Sequence, residues 1–297
     1  ANALRASDTG NLPNKQDAGA EVVVVQFAVT ALPARFELVF ASGADNDADD
    51  GAANKQAAAA AAQDLYIKEA KALAKFDVDF ATKFSLEEAA TGRAGAGGIT
   101  KGHVEFARAS FSAVLGSHGF FYGESKIRTD DGEEGVTAAG PLYTGVPCRP
   151  FFPRGFLWDE GFHQLVVAPF APSITLDVLA HWFGRIQPDG WLPREQILGA
   201  EAEQRVPREF MTQTRTHANP PTFLLTVERL LADSSAGKLG AEDKEVLLSL
   251  YPWVKKWFAW FQSSQRGKGK GAFRWRGRDS GDGKLNAMTL VRIYCHC

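Results

Sequence analysis

Apolar residues recur at helical spacing through most of the chain, three and four positions apart. This period predicts helices at 54–84, 103–115, 158–169, 173–187, 219–232 and 242–265. The first of these contains a long alanine run, and alanine has the highest helix propensity. The next-to-last begins at Asn219 and Pro220, which suit a helix cap and a first helical turn. The pattern therefore predicts a mainly α-helical chain.

Two of the predicted helices have well-defined apolar faces. The first face consists of Thr175, Val178, Leu179, Trp182 and Phe183. The second face consists of Val246, Leu247, Leu250, Trp253, Val254, Trp257, Phe258 and Phe261. Both faces are expected to pack into a core, because an apolar stripe on a helix must be buried against another element.

The N-terminal part has a different character. Residues 21–29 and 35–40 are rich in β-branched and aromatic residues and predict two β-strands. Residues 42–51, SGADNDADDG, predict a solvated acidic linker. We therefore expect a boundary near residue 50. Farther along, residues 187–218 form a long predicted loop, and loops of this length in a helical domain are usually functional or disordered.

The stretch 151–163, FFPRGFLWDEGFH, combines aromatic rings with ionisable groups that are seldom buried without a partner. At 3.6 residues per turn, Phe156, Asp159, Glu160 and His163 fall on one helix face. An aromatic ring beside a carboxylate is suited to a sugar, since the ring covers C–H groups and the carboxylate accepts hydroxyl hydrogen bonds. A helix N-terminus packed into a core, with the acids near the positive end of its dipole, explains the same residues.

Composition limits the choice of partners. The chain has 297 residues, 45% of them hydrophobic, and a formal net charge of −2. This length and composition can form a substantial core, and they provide no basic face for nucleic acid. No run approaches the roughly 18–20 apolar residues of a membrane span.

The three cysteines do not make a convincing metal site. Cys295 and Cys297 flank His296, but zinc sites usually have four protein ligands, or three and a water. Cys148 is expected to be a packed free thiol. The sequence therefore predicts no metal, and it predicts no other cofactor.

Four motifs in order give a specific resemblance. They are FFPRGFLWDEGFHQLVV (151–167), HWFGRIQPDGWLPREQILGAEA (181–202), HANPPTFLL (217–225) and FRWRGRD (273–279). In sequence and spacing they resemble glycoside hydrolase family 63, which includes the processing α-glucosidases.

The resemblance implies a fold. It implies that residues 1–50 hold the last strands of an N-terminal β-sandwich and the linker. It implies that residues 51–297 form the first half of an (α/α)6 toroid, the six-hairpin glycosidase domain. Residues 291–297, VRIYCHC, depart from the family pattern and are expected to be an aberrant tail, such as translated intron.

The resemblance also implies an activity. Its members include an inverting exo-α-1,2-glucosidase that removes the terminal glucose of the N-glycan precursor, so the expected partner is a glucosylated high-mannose N-glycan. They need no cofactor and work on the lumenal side of the endoplasmic reticulum. Their single-pass anchor has no match here, and we expect the chain to be a fragment whose anchor lies upstream.

Glycoside hydrolysis requires two carboxyl groups, one acting as an acid and the other as a base or nucleophile. The residues alone suggest a choice among Asp159, Glu160, Glu195, Glu201 and Asp279, with Asp159 and Glu195 favoured. The resemblance argues against this choice, because the family's acid lies in an SGLDDYPR motif and its base lies farther on. Neither segment has a counterpart among these residues, so the resemblance implies no catalytic residue here and an inactive chain.

The resemblance instead implies substrate-binding residues: Phe156, Trp158, Asp159, Glu160, Arg194 and Glu195. Trp158 and Asp159 are expected to contact the terminal glucose, and the others to lie at the rim or behind it. A salt bridge from Arg194 to Glu195 or Glu201 explains that arginine equally well. His163 and His217 are expected to pack or hydrogen-bond.

Two other functions remain open at this stage. A related inverting toroid glycosidase, trehalase-like or of the bacterial family 63 type, is separable by its preference for small disaccharides. A non-catalytic sugar-binding or scaffold half-domain is separable because it must be a soluble monomer with sugar affinity.

Overall fold

The computed structural model describes residues 51–86, 98–129, 132–267 and 271–273. The chain divides into two compact units, residues 1–76 and residues 77–297. The described part of the first unit is the beginning of one long helix, α1 (Gly51–Phe84). The predicted strands at 21–29 and 35–40, the linker before residue 51 and the cysteines near the C-terminus lie outside the described residues.

Helices predominate over strands in the second unit, as the apolar pattern predicts. They are α2 (Lys101–Leu115), α3 (Leu157–Val167), α4 (Pro172–Phe183), α5 (Gly199–Glu203), α6 (Arg208–Met211), α7 (Phe223–Ser235), α8 (Ala241–Ser249) and α9 (Tyr251–Ser264). The described part of the chain is thus mainly α-helical. No helix within it is both long and apolar enough to cross a membrane.

Short strands connect the helices. They are β1 (His118–Gly123), β2 (Lys126–Arg128), β3 (Glu134–Val136), β4 (Gly140–Gly145), β5 (Gly155–Phe156), β6 (Glu195–Gln196) and β7 (Gln213–Thr214). Strands β1 and β4 pair antiparallel, and β2 lies between antiparallel β3 and parallel β7. Strands β5 and β6 also pair antiparallel. The sequence pattern did not predict these strands or their pairings.

Helix α4 lies at the centre of the core. Its predicted apolar face is confirmed, because Thr175, Val178, Leu179, Trp182 and Phe183 are all buried. Ring contacts extend the core to two other helices: Trp182 packs edge-on against Phe223 of α7 at 5.8 Å, and Phe183 packs against Trp257 of α9 at 6.0 Å. Such edge-to-face pairs add to the stabilisation from burial. An aromatic core therefore joins α4, α7 and α9.

The single helix predicted at 242–265 is wrong in one respect. The structure has two helices there, α8 and α9, separated at Leu250. Pro252 explains the break, because proline has no N–H to donate and is tolerated in a first helical turn. Trp253 consequently leaves the predicted apolar face and is 42% exposed, whereas Leu247, Trp257 and Phe261 on that face are buried.

The predicted helix start at Asn219 is also wrong. Helix α7 begins at Phe223 with Thr222 as its N-cap, and the Thr222 N–H donates to the Pro220 carbonyl in a turn. Asn219 and Pro220 each precede a proline, and a residue before proline is disfavoured in the α region. The two consecutive prolines thus delay the helix by one turn.

Helices α3 and α7 approach each other closely at Gly161. A Cβ atom built on Gly161 would lie 2.7 Å from the backbone carbonyl carbon of Thr222 and closer still to its side chain. The Thr222 hydroxyl donates to the Trp158 carbonyl at 2.8 Å, and the Thr226 hydroxyl donates to the Gly161 carbonyl at 3.1 Å. These bonds attach the first turns of α3 to α7.

Candidate functional site

The aromatic stretch changes from irregular chain to helix at Gly155. A Cβ atom there would lie 2.8 Å from the Trp182 ring, so only glycine lets the backbone pass this close to the core. Pro153 disfavours regular structure immediately before it. Helix α3 then starts at Leu157, and Asp159 and Glu160 lie in its first turn. The predicted helix in this stretch is confirmed.

The long loop meets this stretch through the β5–β6 pairing. Phe156 lies opposite Glu195, and the Leu157 N–H donates to the Arg194 carbonyl at 2.8 Å. Residues 187–198 are anchored in turn by Trp191, which is fully buried and whose indole N–H donates to the His217 carbonyl. The structure thus brings together the two segments from which the site residues were predicted.

Exposed rings line the outer side of this junction. Trp158 is 40% exposed and packs edge-on against Phe162 at 5.8 Å between ring centroids. Phe152 packs edge-on against Phe156 at 5.7 Å. Large rings that remain exposed beside charged groups are typical of a surface that binds a partly apolar, partly polar ligand.

Glu195 is held in a nearly buried ion pair with Arg154. The Arg154 Nε and Nη2 atoms donate to one Glu195 oxygen at 3.2 and 2.8 Å, and the two side chains are 5% and 15% exposed. The guanidinium also lies over the Phe156 ring, 4.6 Å from its centroid. Arg154 therefore joins the aromatic stretch to the loop through Glu195.

Sequence reasoning did not include Arg154 in the site. The sequence feature that could have identified Arg154 is its position between Pro153 and Gly155 in an aromatic run, where an arginine needs a nearby partner. The alternative role for Arg194, a salt bridge to Glu195 or Glu201, stays a prediction. Glu195 forms its ion pair with Arg154, and Arg194 contributes its backbone carbonyl to the junction.

Asp159 is half-buried beside Trp158. Burial raises the pKa of its carboxyl group, the carboxylates of Glu160 and Glu195 raise the pKa further, and the charge on His163 opposes the rise. A carboxylate that is partly removed from water and lies near other negative charges is a strong hydrogen-bond acceptor for hydroxyl groups.

Glu160 lies on the inner side of the same turn and is fully buried. Its carboxylate accepts hydrogen bonds from Thr144, His163 and Gln164 at 3.1, 3.1 and 2.5 Å. The hydrogen bond that was expected of His163 is thus present. Burial lowers the pKa of His163, but the hydrogen bond and charge of Glu160, together with Asp159, outweigh it and raise that pKa above its ordinary value.

The structure also has a groove that lies apart from this junction. This groove of about 530 Å³ runs between the start of β4 and the end of α4, and residues such as Pro141, His181 and Arg185 line it. None of the predicted site residues does so. Within the described residues, no group of three or more His, Cys, Asp or Glu side chains could hold a metal ion.

The junction of β5, β6 and the first turn of α3 contains an exposed ring, a half-buried carboxylate and a loop edge held by strand pairing. Rings and carboxylates of this kind are chemically suited to a polyhydroxylated ligand. The model of the glycosyl hydrolase family 63 C-terminal domain matches residues 61–292 of the chain.

Curated relatives resemble the same region. A mannosyl-oligosaccharide glucosidase of Arabidopsis thaliana is 44% identical over 195 residues, which covers 62% of this chain and 23% of that protein. Alpha-glucosidase 2 of the same plant is 40% identical, covering 62% and 25%. A mannosyl-oligosaccharide glucosidase of Saccharomyces cerevisiae is 37% identical over 202 residues, covering 54% and 24%. The chain spans about a quarter of the length of these relatives.

Proposed function

Because the chain belongs to glycosyl hydrolase family 63, we propose that it is part of a mannosyl-oligosaccharide glucosidase and supplies glucose-binding residues of the active site. Two curated relatives carry that name. The proposed substrate is a glucosylated high-mannose N-glycan, from which the enzyme removes the terminal α-1,2-linked glucose. The proposed mechanism is inversion by two carboxyl groups and water, which needs no metal or other cofactor.

One observation supports this proposal above the others. Trp158, 40% exposed, lies one residue before the half-buried carboxylate of Asp159 at the start of α3. A glucose ring has C–H groups that pack against an indole and hydroxyl groups that donate to a carboxylate. We propose that these two side chains contact the terminal glucose directly.

The other predicted residues have supporting roles in this proposal. Phe156 and Arg194 form the rim where β5 meets β6. Glu195 is tied to Arg154 and keeps the loop edge in place. Glu160 is buried and acts from behind the surface. No residue of this chain is assigned as the catalytic acid or base, so we expect these 297 residues alone to bind the glycan without hydrolysing it.

The finer architecture is also part of the proposal. Residues 51–297 would contribute the first half of an (α/α)6 toroid, and residues 1–50 the last strands of a β-sandwich with a linker. The succession of helices along the chain and the site at the N-terminal end of α3 support this part of the proposal. The proposed location is the lumenal side of the endoplasmic reticulum, where N-glycan precursors are trimmed.

The proposal is tested by titrating the chain with an α-1,2-linked glucose disaccharide, followed by calorimetry and by tryptophan fluorescence. We expect saturable binding that is weaker for the α-1,1-linked disaccharide, because only the former presents the natural linkage. Equal or stronger binding of the α-1,1 disaccharide would favour a trehalase-like specificity. Absence of binding to both would contradict the glucose-binding assignment.

A further inference from the structure

The burial of the Glu160 carboxylate costs free energy, and sugar binding by the neighbouring residues does not explain why it is buried. Its side chain is fully buried, one residue beyond Asp159 in the chain. A carboxylate that leaves water loses a large hydration energy, and the nearby helix N-terminus recovers a small part of it. A buried carboxylate is therefore retained only where several donors or a cation compensate for it.

The donors to Glu160 come from two elements. Thr144 of β4 donates to one carboxylate oxygen at 3.1 Å, and His163 Nδ1 donates to the same oxygen at 3.1 Å. Gln164 donates to the other oxygen at 2.5 Å. The Thr144 hydroxyl itself accepts the indole N–H of Trp182 at 3.0 Å. Strand β4 and helices α3 and α4 are thus linked through one carboxylate.

A second layer holds Gln164 in place. Thr175 of α4 donates to its side-chain oxygen at 2.8 Å, and the Gln164 amide also lies 2.8 Å from His118 Nε2. His118 Nδ1 faces the Val114 carbonyl at 3.1 Å, so this nitrogen carries the proton and Nε2 accepts from Gln164. In this arrangement Nε2 accepts a hydrogen bond from Gln164 and donates none to Glu160, whose carboxylate oxygen lies 3.7 Å away.

His163 is the basic partner of Glu160, because the hydrogen bond and the charge of Glu160 raise the pKa of this imidazole. Its side chain is 20% exposed, and it lies one helical turn from Glu160. Gly145 makes room for both groups, because a Cβ atom there would lie 2.9 Å from His163 Nδ1 and 3.0 Å from a Glu160 oxygen. The close approach of β4 to this pair is therefore built into the backbone.

The position of the pair determines what it controls. Successive residues of a helix point about 100° apart, so anchoring Glu160 inward sets the rotation of the first turn of α3 about its axis. That rotation decides where Asp159 and Trp158 point.

We propose that Glu160 and His163 form a buried positioning pair that holds Asp159 and Trp158 in the orientation that receives a glucose residue. The pair does not touch the sugar and acts through the first turn of α3. This inference rests on the proposed function of Trp158 and Asp159.

Several titratable groups surround the pair and enter any interpretation of its pH dependence. Asp159 is on the same helix and raises the pKa of His163. Glu195 of β6 acts on Asp159. On the β4 side, burial raises the pKa of Tyr143, and Asp177 of α4 and Glu160 raise it further. His118 Nε2 lies 3.7 Å from a Glu160 oxygen.

The test uses the 297-residue chain and the variant Glu160→Gln, which keeps the shape of the side chain and removes its charge. The imidazole titration of His163 is followed by NMR, and affinity for the α-1,2 disaccharide is measured by calorimetry. We expect the pKa of His163 to fall and the affinity to drop at least tenfold. His163→Gln keeps a donor to Glu160 without the charge, so we expect a smaller loss of affinity.

A matched control separates positioning from general destabilisation. Leu247→Ala removes a buried side chain of α8, a helix other than the one that carries the pair. It should lower the melting temperature and leave both the His163 titration and the affinity unchanged. If Glu160→Gln does not fold, His163→Gln provides the affinity comparison.

The outcomes distinguish the two proposals. If the unmodified chain does not bind the disaccharide, the proposed function fails, and the positioning role fails with it. If the unmodified chain binds but both variants bind within twofold of it, or the His163 titration is unchanged in Glu160→Gln, the positioning pair alone is overturned.

Discussion

The ion pair between Arg154 and Glu195 offers the sharpest test of how the site is assembled. Arg154→Met removes the guanidinium and retains a flexible apolar side chain of similar length. It leaves the carboxylate of Glu195, 15% exposed, without its cation. It also removes the cation–π contact with the Phe156 ring at 4.6 Å.

The structure sets the size of the effect. Removing one partner of a buried ion pair typically costs about 3–5 kcal/mol. Two features reduce that figure here. Glu195 retains some contact with water, and Arg154 Nη1 is buried without a hydrogen-bond partner among the described residues. An unsatisfied buried donor costs about 1–3 kcal/mol, and the substitution relieves it. We therefore expect a loss of about 2–3 kcal/mol, or roughly 5–10 °C in melting temperature for a chain of this size.

The assay is a double-mutant cycle with Glu195→Gln, followed by denaturant and thermal unfolding. The double variant should be more stable than the sum of the single changes by at least about 1 kcal/mol, because it contains no uncompensated carboxylate. Arg128→Met serves as the matched control: Arg128 is exposed and donates to the Gly132 carbonyl, so its loss should stay within about 0.5 kcal/mol. Additive single effects, or equal losses in Arg154→Met and Arg128→Met, would refute the reasoning.

The remaining predictions concern the first turns of α3. Asp159→Asn should lower sugar affinity by about 1.5–3 kcal/mol, roughly ten- to hundredfold, since hydrogen bonds to a charged acceptor are lost; unchanged affinity in calorimetry would contradict the contact. Burial raises the pKa of Asp159, so its contribution to stability is present below the unfolded-state pKa and is lost as pH rises through the folded-state pKa. The Asp159→Asn variant should therefore be more stable than the parent chain at neutral pH. The sugar affinity of the parent should fall in acid, and the fall should begin at a pH above the ordinary aspartate pKa of about 3.9. Unfolding and binding experiments over a series of pH values check both expectations. Gly161→Ala should destabilise the chain by about 1–3 kcal/mol, because the added Cβ meets Thr222 and forces α3 and α7 apart; a higher melting temperature would show that this contact is not tight.

The spacing of apolar residues predicted a helix best where only one face of that helix is buried. The face from Thr175 to Phe183 is buried as expected, because every member points into one core. The prediction failed where a single proline or a pair of prolines altered the backbone, at Pro252 and at Pro220. In both places local steric rules competed with a continuous apolar pattern.

The strands were harder to predict from the sequence. Strand β1 pairs with β4 across a connection that contains two further strands. Such pairing depends on contacts between distant residues, and short strands carry little periodic signal of their own. The short strands were therefore found only in the three-dimensional structure.

The site could be predicted from the sequence only in part. Motif content indicated that the stretch 151–163 and the segment near Glu195 belong together, and the β5–β6 pairing joins them. The partner of Glu195 was not predictable, because the register of two residues in each strand decides that Arg154 reaches it. Likewise, the inward direction of Glu160 depends on Thr144, which lies outside the motifs, and on Gln164, a motif residue to which no role was assigned.

The measurement that tests the central claim most directly is binding of the α-1,2-linked glucose disaccharide to the parent chain and to Trp158→Ala, compared by calorimetry. The account predicts saturable binding to the parent and a loss of about 2 kcal/mol, close to thirtyfold, in the variant, because the exposed indole covers the sugar face. Phe162→Ala, which removes the exposed ring beside Trp158, should have a smaller effect. Equal affinity of the parent and Trp158→Ala would contradict the claim that this surface receives the terminal glucose.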